Sequence, residues 1–143
     1  MKIRDVLKRK GPDVHAIDAA QPTSDAIARF SRSKVRCLVV TESDVPVGML
    51  TLRDILLHLD RTGHEGVRAP VREAMTKGFF SVAPDSTTEE AHALLSQKEI
   101  HHLPVLDGGA LVGLVTRVDL LSNEVRDAED VNEHMLRYIA EGC

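Results

Sequence analysis

Two short phrases carry the residues best suited to chemistry. GMLTLRDIL (Gly48 to Leu56) and GLVTRVDLL (Gly113 to Leu121) place Gly, Thr, Asp and Leu at the same four positions, 65 residues apart. A threonine three residues before an acid, at the start of a helical run, forms a capping box. Thr51 or Thr116 then sits at the N-cap, and Asp54 or Asp119 at the third helical position. The same arrangement can grip a ligand. A helix N-terminus presents unsatisfied N–H groups and the positive end of the dipole, which suits phosphate. The Thr hydroxyl can donate to a phosphate oxygen. An ionised Asp only accepts, so it needs a donor such as the vicinal hydroxyls of a ribose. Gly48 and Gly113 leave the backbone bare where a ligand could approach. These residues alone support both readings, a helix cap and a ribose-phosphate grip.

The phrases belong to a longer repeat. Residues 14–57 lie on 79–122 without a gap, and eleven of those 44 pairs are identical. Average composition gives about three by chance. A lead-in precedes each copy, IRDVL at Ile3–Leu7 and VREAM at Val71–Met75, here 68 residues apart. Within each copy, VHAI and FFSV read as short strands. PTSDAIARFSRS and DSTTEEAHALLSQK read as capped helices. RCLVVTE with VPVGMLT, and HHLPVLD with ALVGLVT, read as strand pairs across ESD and DGG. LRDILLHL and RVDLLSNEV return to helix. The order strand–helix–strand–strand–helix, twice, predicts an α/β fold with mixed sheets and helices packed on them. The expected division is a first repeat with its lead-in helix over 1–60, a linker over 61–70, a second repeat over 71–123 and a C-terminal helix over 124–143.

Composition narrows the classes. The chain of 143 residues is 43% hydrophobic and 28% charged, with 3% aromatic and no Trp, so its core is built from Leu, Val, Ile and Ala. A net charge of −4 gives no pull towards nucleic acid or anionic membrane. The basic N-terminus (Lys2, Arg4, Lys8, Arg9, Lys10) reads as a solvated helix face. No apolar run approaches the ~20 residues that span a bilayer. Cys37 and Cys143 lack metal or redox spacing, which points to a cytoplasmic protein with Cys37 in its core.

The run FFSVAPDSTTEEAHALLSQKEIHHLPVLDGGALVGLVTRVDLL resembles the CBS domain nearly end to end, and VHAIDAAQPTSDAIARFSRSKVRCLVVTESDVPVGMLTLRDIL resembles it with gaps in the signature. With its lead-in IRDVLKRKG, the chain is similar to small stand-alone bacterial tandem CBS pairs (Bateman modules). The resemblance implies two repeats packed as a pseudo-two-fold pair. It also implies a regulatory sensor, with no required cofactor and no catalysis, that binds AMP, ADP, ATP, NAD(H) or S-adenosylmethionine in clefts between the repeats. A structural interaction module with degenerate clefts is the alternative. Carried over by position, Asp54 and Asp119 hold ribose, and Thr51 and Thr116 hold phosphate. Ala16 and Ile17, or Ser81 and Val82, frame the adenine from the first strand. Arg36, Cys37 and Leu38, or His101, His102, Leu103 and Pro104, frame it from the second. The family's frequent LPV is present at Leu103–Val105 but is LVV at Leu38–Val40, and its Thr early in the first strand is Ser81 or Ala16. The second copy is therefore expected to bind better.

Other residues fit around this reading. Arg53, Arg36 and above all Arg117 could neutralise phosphate. His101 and His102 point to opposite faces of a strand, so they do not share a metal ion. One of them could instead stack on a purine. The leucines of DILLHL occupy more than one helical face, which suits a homodimer, as the family commonly forms. The apolar spacing from Asp119 to Ile139 suits an amphipathic helix, packed on its own module or docked on an effector protein. The sequence offers no placed Ser/Cys–His–Asp set, phosphate-binding loop or zinc motif, which disfavours an enzyme.

Overall fold

The computed structural model describes residues 1–11 and 14–127. The expected helix over 124–143 lies outside them from residue 128 onward. The chain opens with α1 (Ile3–Lys10), followed by β1 (Ala16–Asp18), α2 (Thr23–Arg32), β2 (Cys37–Glu42), β3 (Val45–Thr51) and α3 (Leu52–Thr62). A 3₁₀ turn at His64–Arg68 fills the expected linker and leads to α4 (Val71–Ala74) and β4 (Thr76–Lys77). The second repeat supplies α5 (Thr88–Lys98), β5 (His102–Asp107), β6 (Ala110–Thr116) and α6 (Arg117–Asp127). Contacts divide the chain into two compact units. Among the described residues, one holds 14–80 with 108–111, and the other holds 1–11, 81–107 and 112–127.

In the first-repeat unit the sheet order is β1-β2-β3-β4. The β1–β2 pair is parallel, with α2 as its crossover, while the β2–β3 and β3–β4 pairs are antiparallel. Central β2 buries Cys37, Leu38, Val39 and Val40 in succession, whereas β3 buries every second residue (Pro46, Gly48, Leu50). Continuous burial marks a strand covered on both faces, and alternation marks one with a single wet face. The hairpin turns at Ser43 and Asp44, and at Gly108 and Gly109, as expected, with positive φ at all four residues. Such two-residue turns match the right-handed twist of the strands.

The second repeat departs from expectation at FFSV. It forms no strand, only a single parallel bridge between Val82 and Val105. The reason lies in two prolines, Pro104 and Pro84. In the first repeat the Val39 N–H donates to the His15 carbonyl at 2.9 Å, which extends the pairing into a three-residue β1. Pro104 occupies the equivalent position, 65 residues on, and has no N–H to give. At the other end the Ala19 N–H donates to the Thr41 carbonyl at 2.8 Å, and its equivalent is Pro84, which has no N–H either.

Each lead-in packs on the repeat it does not precede. Ile3 and Val6 of α1 join the core of Val82, Ala91, Leu95, Leu103, Val105, Val115 and Leu120. Val71 and Ala74 of α4 join the core of Ile17, Ala26, Phe30, Leu38, Leu50 and Ile55. The hydrogen bonds agree position for position. Ile3 N–H donates to the Ser86 carbonyl, Arg4 to Pro84 and Thr88 to Met1, each at 2.9 Å. Their counterparts run from Val71 to Gln21, Arg72 to Ala19 and Thr23 to Ala69, at 2.8, 3.0 and 2.8 Å. The lead-in expected to accompany the first repeat therefore belongs, by packing, with the second.

Candidate functional site

The two strand-to-helix junctions are built alike. Asp54 Oδ2 accepts the Thr51 N–H at 2.9 Å while Thr51 Oγ1 accepts the Asp54 N–H at 3.2 Å. Asp119 Oδ2 accepts the Thr116 N–H at 2.9 Å and Thr116 Oγ1 accepts the Asp119 N–H at 3.1 Å. Both are capping boxes, as the spacing predicts. In the first junction the Thr51 hydroxyl also donates to Asp54 Oδ2, at 3.1 Å, so it faces its own carboxylate.

The lead-in segments reach both aspartates. The Thr76 hydroxyl donates to Asp54 Oδ1 at 3.0 Å, and Lys10 Nζ donates to Asp119 Oδ2 at 2.8 Å. These contacts escape the sequence reading because Lys10 and Thr76 fall where the two copies change offset. The same segments explain the repeated glycines. A Cβ on Gly48 would come within 2.6 Å of the Thr76 carbonyl oxygen and 2.8 Å of the Met75 sulfur. One on Gly113 would come within 2.6 Å of Leu7 Cδ2. Leu7 and Met75 are equivalent lead-in positions. The space that was expected to admit a ligand beside each glycine is occupied by the protein itself.

The predicted frame around the adenine is partly core. Ile17, Leu38, Val82 and Leu103 are buried in the hydrophobic clusters, so their side chains are already engaged. Cys37 is buried and lies opposite Thr51 in the β2–β3 register. Burial pushes its thiol up to about 12, the nearby Asp54 charge adds to this, and a backbone hydrogen bond at Leu50 works against it. It is a core thiol rather than a nucleophile. Ala16 is half-buried, and its carbonyl accepts from the Arg29 guanidinium, a contact missed by sequence analysis. The signal was a break in the repeat, where Arg29 stands opposite Leu94. Ser81, His101, Arg36 and Arg53 are exposed, and Pro104 is buried.

Arg117 does not face the helix entrance with its guanidinium. Its Nη2 lies 3.4 Å from both the Leu95 and Ile100 carbonyls. The cause is the end of α5. Glu99 there adopts a left-handed conformation (φ 53°), and the Leu95 carbonyl, which already accepts the Ile100 N–H at 3.1 Å, takes the guanidinium as a further donor. The Arg117 N–H donates to the His101 carbonyl at 3.2 Å, which ties the start of α6 to the segment before β5.

His102 is half-buried beside this junction. Its pKa is lowered from the ordinary 6.5, first by burial and then by the charges of His101 and Lys10, with Asp119 opposing. Folding therefore favours the neutral ring. The stability this contributes is present above pH 6.5 and is lost as pH falls below it. Urea midpoints are expected to drop as pH falls below 6.5, with a flatter profile in His102→Gln. An unchanged profile in that variant contradicts the assignment.

Among the described residues, no cluster of His, Cys, Asp and Glu could hold a metal ion, and no helix is long and apolar enough to cross a membrane.

Comparison with known proteins places this geometry. The CBS domain family model matches residues 3–61 and 71–126. The CBS domain-containing protein YhcV of Bacillus subtilis is 34% identical over 112 residues, covering 78% of this chain and 79% of that protein. The CBS-domain containing protein ATU1752 of Agrobacterium tumefaciens superposes with a TM-score of 0.78 at 27% identity, covering 86% of this chain and 92% of that one. CBSX2, solved in complex with AMP, shares the fold with a TM-score of 0.76 at 23% identity, covering 89% and 98%. With the family model matched twice along its length, this chain belongs to the CBS-domain family and carries two copies of the domain.

Proposed function

We propose that this chain is a regulatory module that binds an adenosine-containing ligand at its repeated strand-to-helix junctions and has no chemistry of its own. AMP, ADP, ATP, NAD(H) and S-adenosylmethionine are the candidate ligands. The observation that carries the reading is the junction itself, present twice with the same capping-box hydrogen bonds: a carboxylate that accepts donors stands beside a helix N-terminus that suits phosphate. The AMP in the CBSX2 complex belongs to that protein and is the reason AMP heads the candidates. Leu52, Leu56 and Leu57, exposed along α3, support a homodimer, through which a signal could reach an effector protein. The cytoplasm is the location that fits this role.

One observation favours a second reading, a structural interaction module. Asp54 and Asp119 are both folded into caps and both meet a lead-in donor. Binding then requires a ligand hydroxyl to displace an exposed Thr76 or the Lys10 ammonium. Thermal unfolding with the five ligands separates the two readings. A ligand at 100 times its dissociation constant raises stability by ~2.7 kcal/mol. A shift with at least one ligand is expected. No shift with any of them leaves the structural reading, and turnover of a bound nucleotide revives an enzymatic one.

A further inference from the structure

Lys10 closes α1 and reaches two acceptors at once, Asp119 Oδ2 and the Leu114 carbonyl, both at 2.8 Å. Its side chain is 30% exposed and that of Asp119 22%, so the pair is sheltered from full solvent screening. The carboxylate oxygen it touches also accepts the Thr116 N–H, so the ammonium stands one oxygen away from the N-cap of α6. Arg117, the cation that the sequence offers for a phosphate here, is turned to the end of α5. The first junction is furnished differently. There the lead-in donor is the neutral Thr76 hydroxyl, 3.0 Å from Asp54 Oδ1. The two copies thus share the acid and the cap but differ in the charge of the group that meets the acid.

We propose that Lys10 determines specificity at the second junction: it holds Asp119 when no ligand is bound, and passes to the ligand's phosphate when a ribose hydroxyl takes its place on the carboxylate. The inference rests on the reading of Asp119 as the ribose-binding acid. A neutral nucleoside offers hydroxyls to Asp119 but strips Lys10 of its anion and returns nothing. A nucleoside 5′-phosphate offers the hydroxyls and a new anion within the sweep of a flexible four-carbon stem. Charge-assisted hydrogen bonds are roughly twice as strong as neutral ones, so the exchange favours phosphorylated ligands. The first junction, whose donor carries no charge, lacks this source of selection.

The test is calorimetric titration of the full chain with AMP and with adenosine, in an Asp54→Ala background so that the second junction reports. Lys10→Met is expected to weaken AMP about tenfold or more. Adenosine, freed from a competitor, is expected to bind as well as before or better, so the AMP-to-adenosine preference collapses. Lys10→Arg keeps the charge and is expected to keep the preference. A purely structural Lys10 would shift both ligands by one factor, and that result, or no change with either ligand, overturns the proposal. If the protein with Lys10 intact binds neither probe, or binds AMP equally well after Asp119→Ala, the ribose reading fails and takes this inference with it. That pattern is distinguishable, because it appears without any substitution at Lys10.

Discussion

Ile3→Ala is expected to destabilise the second-repeat unit by about 2–5 kcal/mol, the cost of truncating a fully buried aliphatic side chain. Ile3 is 0% exposed and packs in the cluster of Val82, Leu95, Leu103 and Leu120. It lies next to the first repeat in sequence, so the location of the damage is as informative as its size. Hydrogen exchange should show protection lost in α5, β5 and β6, with β1, β2 and β3 less affected. Val71→Ala, at the equivalent lead-in position, should do the reverse, because Val71 packs with Ile17, Leu38 and Leu50. Loss confined to the adjacent repeat in either variant would show that the lead-ins are not exchanged.

Gly48→Ala is the second large effect, expected at about 1–3 kcal/mol from overpacking. The new methyl would meet the Thr76 carbonyl oxygen at 2.6 Å, a backbone atom held by the β3–β4 pairing, and the Met75 sulfur at 2.8 Å. Gly113→Ala meets only the end of the Leu7 side chain, at 2.6 and 2.8 Å, which can turn away. Denaturant unfolding should therefore rank Gly48→Ala as the costlier change. A second substitution, Leu7→Ala, should offset part of the Gly113→Ala cost but none of the Gly48→Ala cost. Equal costs, or no such offset, would mean that the glycines do not serve lead-in packing.

Much of the fold was legible because it is written in local patterns. The Thr-to-Asp spacing predicts both capping boxes, and the apolar runs bounded by turn residues predict β2, β3, β5 and β6. Pairing between distant segments was harder to read. The pattern of Ile3 and Val6 fits either repeat equally well, and only the tertiary fold selects the second. The strand at FFSV shrinks to a bridge for want of two N–H groups, one at Pro84 and one at Pro104, the latter in a segment 22 residues further along. Of the candidate site, the acids and their caps were legible. Lys10 and Thr76 were not, because they reach their aspartates across 109 and 22 residues of sequence. Arg117 has the right charge beside the right helix, yet the Leu95 and Ile100 carbonyls at and beyond the end of α5 hold its guanidinium.

The two duplicated junctions now stand as a matched pair with unlike partners. Asp54 meets a hydroxyl and Asp119 an ammonium, so the two acids differ in the charge of the donor they already hold.

The most direct measurement is the thermal stabilisation by AMP of the intact chain, of Asp54→Ala, of Asp119→Ala and of the doubly substituted protein. The intact chain should be stabilised, Asp119→Ala should lose more of that stabilisation than Asp54→Ala, and the double variant should lose it entirely. A double variant that AMP stabilises as strongly as the intact chain would show that these carboxylates do not hold the ligand.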